Sequence, residues 1–83
     1  MGKLLLILEV PSISCSFEVY MPDFLPVKEL VPLLVKAASE MSGGLYVSSG
    51  HEFLCVKGED ILLDEDASLS MYDIGNGDHL VMM

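Results

Sequence analysis

Residues 68–83, SLSMYDIGNGDHLVMM, contain three pieces that together indicate how the fold is completed. Ser68–Asp73 is predicted to form a compact turn. The Gly-Asn-Gly-Asp run at 75–78 is predicted to form a tight turn, because glycine accepts positive φ angles at low cost. His79–Met83 is short and apolar, which is typical of a strand. The stretch therefore predicts a turn region that leads directly into a final strand.

The composition is typical of a small folded protein. Eighty-three residues leave little room for a second hydrophobic core, so we predict a single domain over residues 1–83. Hydrophobic residues make up 52% of the chain, which is too many for a disordered protein and more than a small domain can hide. Part of the apolar surface is therefore expected to remain exposed.

The chain is strongly acidic. Its net charge of −9 comes from 13 acidic and 4 basic residues. Four basic residues cannot form the face that nucleic-acid phosphates or anionic membranes require. The acidity either keeps an apolar domain in solution or steers it toward a basic partner. We predict a protein partner, with no nucleic-acid binding and no membrane insertion.

Cysteine usage and the N-terminal run indicate the compartment. Cys15 and Cys55 lie far apart in sequence and form no CxxC motif or zinc-type cluster. The apolar run Leu4–Leu8 is too short to cross a bilayer and has no signal-peptide cleavage site. We therefore expect a cytoplasmic protein with reduced thiols.

Hydrophobic periodicity predicts the order β-β-α-β-β-turn-β. The first strand is apolar on both faces, which is typical of a central strand. A hairpin followed by one crossover helix predicts an α+β fold, with a mixed four- to five-stranded sheet covered on one face. The predicted strands are Lys3–Val10, Ser14–Met21, Glu52–Lys57, Ile61–Leu63 and His79–Met83.

Helical spacing begins at Val27, and Ser42-Gly43-Gly44 provides a stop. Pro32 would remove a backbone donor inside the helix, at a cost of about 3 kcal/mol. The helix therefore either starts near Glu29 or is kinked at Pro32, and we favour the late start. The residues predicted on its buried face are Val27, Leu30, Val31, Leu34, Ala38 and Met41.

No motif in the sequence points to catalysis, a cofactor or a metal, so we predict no enzymatic activity. His51 and His79 lie in no ligand or triad pattern, and Cys55 has no nearby base. The glycine turn at 75–77 lacks the lysine of a phosphate-binding loop. A run of acidic residues suggests either a weak cation site or, as we favour, a solvated rim beside an edge strand. Its members are Glu59, Asp60, Asp64, Glu65 and Asp66.

Alternation along the strands predicts two sheet faces of different role. The residues predicted to face the helix are Leu4, Leu6, Leu8, Leu54, Val56, Leu80 and Met82. The residues predicted to face away, as a contiguous protein-binding patch, are Leu5, Ile7, Phe53, Cys55, Val81 and Met83. Such a patch indicates an interface, either with a partner protein or with a second copy in a homodimer.

The order of residues near the C-terminus resembles the end of a ubiquitin-like β-grasp domain. In that fold a leucine, a tyrosine and an isoleucine hold a loop under the core, and the last strand runs through the middle of the sheet. The matching residues are Leu69, Ser70, Tyr72, Ile74, Leu80 and Met82. The resemblance implies that Cys55, Val81 and Met83 lie where ubiquitin binds partners. The sequence shows no C-terminal Gly-Gly, so we expect binding without conjugation.

A closer resemblance is to the YukD/EsaB family of small bacterial proteins encoded with type VII (WXG100) secretion systems. It rests on Pro26–Val31 and on the run from Leu69 to Leu80. It implies a non-conjugated cytoplasmic accessory or regulator that docks on a membrane or ATPase component of the secretion machine. The alternatives are an adaptor of an unrelated complex and, disfavoured by the missing Gly-Gly, a sulfur carrier or protein modifier.

Overall fold

A computed structural model describes residues 2–59 and 61–83, which form a five-stranded sheet and one α-helix. The elements are β1 (Lys3–Val10), β2 (Cys15–Pro22), α1 (Val27–Met41), β3 (Leu54–Val56), β4 (Ile61–Leu62) and β5 (His79–Met82). The sheet order is β2-β1-β5-β3-β4. β5 is parallel to β1 and every other strand pair is antiparallel. The predicted element order and the mixed sheet with one helix are confirmed.

The β1–β2 hairpin closes through a 3-10 turn at Pro11–Ile13. Ser14 follows with φ of 54°, a left-handed conformation that no strand residue adopts. The second strand therefore begins one residue later than predicted. All eight β1 residues then pair with β2, from Lys3 opposite Pro22 to Val10 opposite Cys15.

The core lies between the helix and one face of the sheet. Alternation predicted this face correctly, because Leu6, Leu8 and Leu80 are at most 1% exposed. Leu4 and Val56 are partly buried and pack against the same cluster. Burying a leucine side chain contributes about 1.5–3 kcal/mol, so this face supplies much of the stability.

The helix begins at Val27, so the predicted late start near Glu29 is wrong. The N–H groups of Val27 and Lys28 donate to the carbonyl oxygens of Ala67 and Glu65, at 2.8 and 2.9 Å. These donors have no partner within a helix, and the distant loop supplies one for each. A contact between segments thus stabilises a first turn that the sequence alone disfavours.

Pro32 consequently lies inside the helix, on its exposed side. It lacks the N–H that would donate to the Lys28 carbonyl oxygen. The helix is 15 residues long. No helix in the described ranges is long and apolar enough to cross a bilayer.

The predicted glycine stop is confirmed. The Gly44 N–H donates to the Ser39 carbonyl at 2.8 Å and the Gly43 N–H to the Glu40 carbonyl at 3.3 Å, and Gly43 has φ of 68°. This pattern is a Schellman cap. The predicted burial of Met41 is wrong, since it is 51% exposed. Met41 is the last helical residue.

The 75–78 turn is tied to β1 by three hydrogen bonds, one of which runs from the Ile7 N–H to the Asp78 carbonyl at 3.0 Å. The Leu5 N–H donates to the side-chain oxygen of Asn76 at 2.8 Å, and the Gly77 N–H donates to the Leu5 carbonyl at 2.7 Å. Gly77 has φ of 86°, as a glycine turn allows. These bonds place His79 beside Ile7 and start β5 parallel to β1.

The preceding 3-10 segment, Leu69–Tyr72, is held as the resemblance implied. Leu69 is fully buried and Ile74 is 8% exposed. The Tyr72 hydroxyl accepts a hydrogen bond from the Asp64 N–H at 2.8 Å. The loop that leads into β5 is therefore anchored both in the core and to the segment after β4.

Candidate protein-binding face

The face of the sheet opposite α1 carries all six residues predicted as a binding patch. They alternate with the core residues: Val81, for example, lies between the buried Leu80 and Met82. Phe53 is 44% exposed and Met83 is 52% exposed. Leu5, Ile7, Cys55 and Val81 are partly buried. The strand register used to predict this face is therefore that of the structure.

Five residues at the β3 side of this face form one apolar surface, which we call the β3 patch: Phe53, Cys55, Leu62, Val81 and Met83. Cys55 lies opposite Val81 on one side and opposite Leu62 on the other. Phe53 and Met83 exchange two backbone hydrogen bonds, at 2.8 and 3.0 Å. Together with Val56, Lys57 and Gly58 they line a shallow concavity of about 380 Å³.

Leu62 was not predicted as a member of the patch, although it is 60% exposed. The alternation rule could have found it, because the next residue, Leu63, is 5% exposed and faces the core. The signal was weak because β4 is only two residues long.

Leu5 and Ile7 belong to a second apolar group at the opposite side of the face. Leu5 lies opposite Tyr20, which is 69% exposed, and Ile7 lies opposite Glu18. We call Leu5, Ile7 and Tyr20 the β1 patch. A charged side chain already borders it on β2.

An ionic cluster of Glu9, Lys57 and His79 lies between the two patches. The Glu9 carboxylate oxygen Oε2 is 2.8 Å from Lys57 Nζ and 2.8 Å from His79 Nδ1. Hydrogen bonds first from Lys57 and then from His79 lower the pKa of Glu9 below its usual 4.5. The cluster links β1, β5 and β3 across the open face.

The predicted surface is thus divided. Glu9 lies beside Val81, and His79 lies beside Ile7, so these two polar side chains occupy positions between the patches. The adjacency of β1, β5 and β3 is as predicted, and Ile7 and Val81 are diagonal neighbours across β1 and β5, with Glu9 and His79 on the other diagonal. The sequence held the signal, because Glu9 and Lys57 have the same alternation as Ile7 and Cys55.

A polar pair supports the segment that leads into β3. The Tyr46 hydroxyl donates to Glu52 Oε2 at 2.6 Å, and the Ser49 N–H donates to the same oxygen at 2.9 Å. Burial and this bond raise the pKa of Tyr46 to about 12. Burial opposes ionisation of Glu52, yet hydrogen bonds led by those from Tyr46 and Ser48 lower its pKa to about 2. The pair holds the loop that immediately precedes Phe53.

The remaining candidate groups are dispersed. Across residues 2–59 and 61–83, no three histidine, cysteine or acidic side chains lie together as metal ligands would. His51 is exposed, and Cys55 lies among the apolar residues of the β3 patch. In the acidic rim, Asp66 is 3.1 Å from Lys28 Nζ, while Asp60 lies outside the described residues.

The family model for protein YukD of the WXG100 protein secretion system (Wss) matches residues 10–82. The chain belongs to the YukD family. No match was found among curated proteins. The resemblance inferred from the helix start and the C-terminal stretch is therefore confirmed.

Solved structures identify the fold. The ubiquitin-like domain of the Mycobacterium tuberculosis type VII secretion protein ECCD1 aligns with a TM-score of 0.79 and 15% identity, over 100% of this chain and 99% of that chain. The EccD5 ubiquitin-like domain of Mycobacterium xenopi gives 0.82 and 15%, over 100% and 94%.

A chain of a MycP5-free ESX-5 inner membrane complex gives a TM-score of 0.80 and 17% identity, over 100% of this chain and 21% of that chain. At these identities the similarity establishes the ubiquitin-like β-grasp fold. Together with the family match, it makes this chain a ubiquitin-like domain related to type VII secretion systems.

Proposed function

We propose that residues 1–83 act as a single, non-enzymatic protein-binding domain, a cytoplasmic accessory or regulator of a type VII secretion system. The observation that carries the proposal is the β3 patch. Its Phe53, Leu62 and Met83 side chains are 44%, 60% and 52% exposed and lie side by side on a regular sheet. Singly exposed apolar residues are normal, whereas a contiguous group indicates an interface.

The ionic cluster borders the β3 patch on the side that faces β1. Apolar residues at the centre with charged groups at the rim are typical of protein–protein contacts. Lys57 and His79 are about half exposed, which leaves donors beside the patch for carboxylates or carbonyls of a partner. The β1 patch, with Leu5 and Ile7, is the second part of the proposed face.

The family supplies the class of partner. Membership in the YukD family ties the chain to WXG100 secretion. A domain of the same fold is part of a chain in an ESX-5 inner membrane complex. We therefore propose that the partner is a membrane or ATPase component of such a machine.

The positions of the two thiols exclude a disulfide between them. Cys15 and Cys55 are both free. Two strands, β1 and β5, separate them in the sheet, so their backbones lie about 14 Å apart. Disulfide formation needs Cα atoms within about 7 Å, so this pair cannot form one in the fold.

The test is affinity purification of tagged chain from its native cells, with mass spectrometry as the readout. Wild type is expected to recover type VII components. Val81→Asp and Val81→Lys should each reduce recovery by about tenfold or more, since both place a charge in the apolar patch. Using both signs separates the loss of apolar contact from simple repulsion by the nearby Glu9.

Ile7→Asp makes the matching change in the β1 patch, across the ionic cluster, and thermal unfolding shows whether each variant folds. If Ile7→Asp reduces the recovery of partners as strongly as Val81→Asp, the two patches bind the partner together. Recovery of unrelated complexes would favour an adaptor role outside secretion, and recovery of the chain alone would favour self-association. Covalent ladders of tagged chain would contradict non-covalent action.

A further inference from the structure

The two edges of the sheet are built differently. At one edge β4 has two residues, which leaves little backbone to pair with another strand. At the other edge β2 has eight residues, and its pairing with β1 runs without a bulge. Edge strands are usually blunted by shortness, lysine, proline or bulges. β2 contains one charge, Glu18, and its proline, Pro22, stands at its end.

The direction of the backbone groups on β1 follows from its contacts with the 76–78 turn. The Leu5 N–H donates to Asn76 Oδ1, and the Ile7 N–H donates to the Asp78 carbonyl at 3.0 Å. Both groups therefore point toward β5. Because backbone groups alternate along a strand, those of Leu6, between them, point toward β2.

The direction of the backbone groups on β2 follows from its pairing with β1. Leu6 lies opposite Val19, so the two exchange hydrogen bonds and the backbone groups of Val19 point toward β1. The N–H and C=O groups of Ser16, Glu18 and Tyr20 then point away from the sheet. In the part of the chain that the structure describes, none of these groups bonds to another loop or to the helix.

We propose that this free β2 edge binds an extended, basic segment of a partner protein as an additional strand of the sheet. Main-chain hydrogen bonds to Ser16, Glu18 and Tyr20 would hold the segment, as in other cases of strand addition. This surface is separate from the β3 patch, since β1 and β5 lie between β2 and β3. The inference goes beyond the function proposed above.

The side chains of β2 define the occupant. On the open face Glu18 and the 69% exposed Tyr20 favour a lysine or arginine opposite them, through charge pairing and cation–π contact. On the core side, Phe17 and Cys15 are partly buried and Val19 is 6% exposed, so an apolar side chain fits there. The edge thus selects a segment that alternates basic and apolar residues.

A second copy of this chain fits the edge poorly. Each copy carries a net charge of −9, and the only charged residue on β2 is acidic. Two such edges would bring glutamates together with no cation between them. A basic partner removes this repulsion, so charge complementarity favours a basic segment over a second copy as the occupant of the β2 edge.

The experiment is amide hydrogen exchange by NMR, with a blocked peptide of alternating lysine and valine about as long as β2. We expect exchange at Ser16, Glu18 and Tyr20 to slow by about tenfold or more at saturation, because these amides become hydrogen-bonded. A matched glutamate–valine peptide should leave exchange unchanged.

Glu18→Pro removes one outward N–H and leaves the inward donors of Phe17 and Val19 in place, which an edge strand tolerates. It should abolish the slowing. Glu18→Lys should weaken peptide binding by about tenfold, because it places a lysine opposite the lysines of the peptide. This variant tests the same edge if the proline variant does not fold. Glu59→Lys makes the same charge change after β3, toward the other edge, and should have little effect.

Three results would overturn the inference. The first is no slowing at the β2 amides with the lysine–valine peptide. The second is slowing confined to the β3 patch. The third is slowing at the β2 amides without peptide that grows with protein concentration, which would show that a second copy occupies the edge.

Discussion

The two faces of the sheet follow different rules, although they come from the same strands. On the helix-covered face Leu6, Leu8, Leu54, Leu80 and Met82 are at most 1% exposed, and the core cluster contains no buried charge. On the open face apolar residues are interrupted by Glu9, Lys57 and His79. The same alternation that keeps charge out of the core therefore does not keep it off the open face.

The reason is the cost of burying charge. A carboxylate transferred from water to the core costs several kcal/mol, so every inward position must be apolar. On the open face Glu9 keeps contact with water and has two hydrogen-bonding partners, Lys57 and His79. Charges there are tolerated, and they divide the surface into patches that a partner can distinguish.

The largest expected effect contrasts neighbouring residues on β5. Leu80→Ala should lower the free energy of unfolding by about 2–5 kcal/mol, because Leu80 is fully buried and a cavity would remain. Val81→Ala should cost less than about 1 kcal/mol, because Val81 remains partly exposed. Urea unfolding of both variants measures the difference. Equal losses would show that the open face is packed as tightly as the core.

A second effect, of about 1–2 kcal/mol, is expected for Tyr46→Phe, which removes the donor to Glu52. The low Glu52 pKa means that its contribution is present above pH 4.5, the ordinary pKa, and is lost as pH falls toward 2. The Tyr46 contribution is present below pH 10 and is lost as pH rises toward 12. The variant should show weaker pH dependence at both ends. An unchanged pH profile of unfolding would contradict this pairing.

Glu9→Leu should abolish the difference between the patches. It replaces the charge beside Val81 with an apolar side chain and joins the β1 and β3 patches. We expect the variant to self-associate as its concentration rises, whereas wild type remains dispersed because its apolar surface is divided. Sedimentation velocity over a concentration series measures this. A variant that sediments like wild type at every concentration would show that the cluster does not limit association.

The smallest effect is expected for Glu9→Gln, which keeps the shape and removes the charge. The cluster is exposed to solvent, so the loss of stability should be smaller than for Tyr46→Phe and should vanish at high salt. Because the pKa of Glu9 is lowered, its contribution is present above pH 4.5 and is lost as pH falls further. A salt-independent loss, measured by urea unfolding, would indicate a packing role instead.

The prediction of the fold succeeded where a local pattern carries the information. Alternation identified the inward face, from Leu6 to Met82, and the Gly43-Gly44 pair identified the end of the helix. The prediction of the helix start failed because Pro32 is unfavourable locally, while the compensating bonds come from Ala67 and Glu65. These two partners lie far from Val27 in the sequence, so a local pattern around Val27 cannot reveal them.

The periodicities, the glycine turns and the family could be predicted from the sequence, because each depends on residues close together in the chain or on the order in which they occur. Lys57 and His79 lie 48 and 70 residues from Glu9 in the sequence. Only the tertiary structure brings the three together, because β5 lies between β1 and β3 in the sheet. It also decided which backbone groups of β2 remain free. Contacts across a sheet depend on strand order, and strand order is set by the packing of the whole chain.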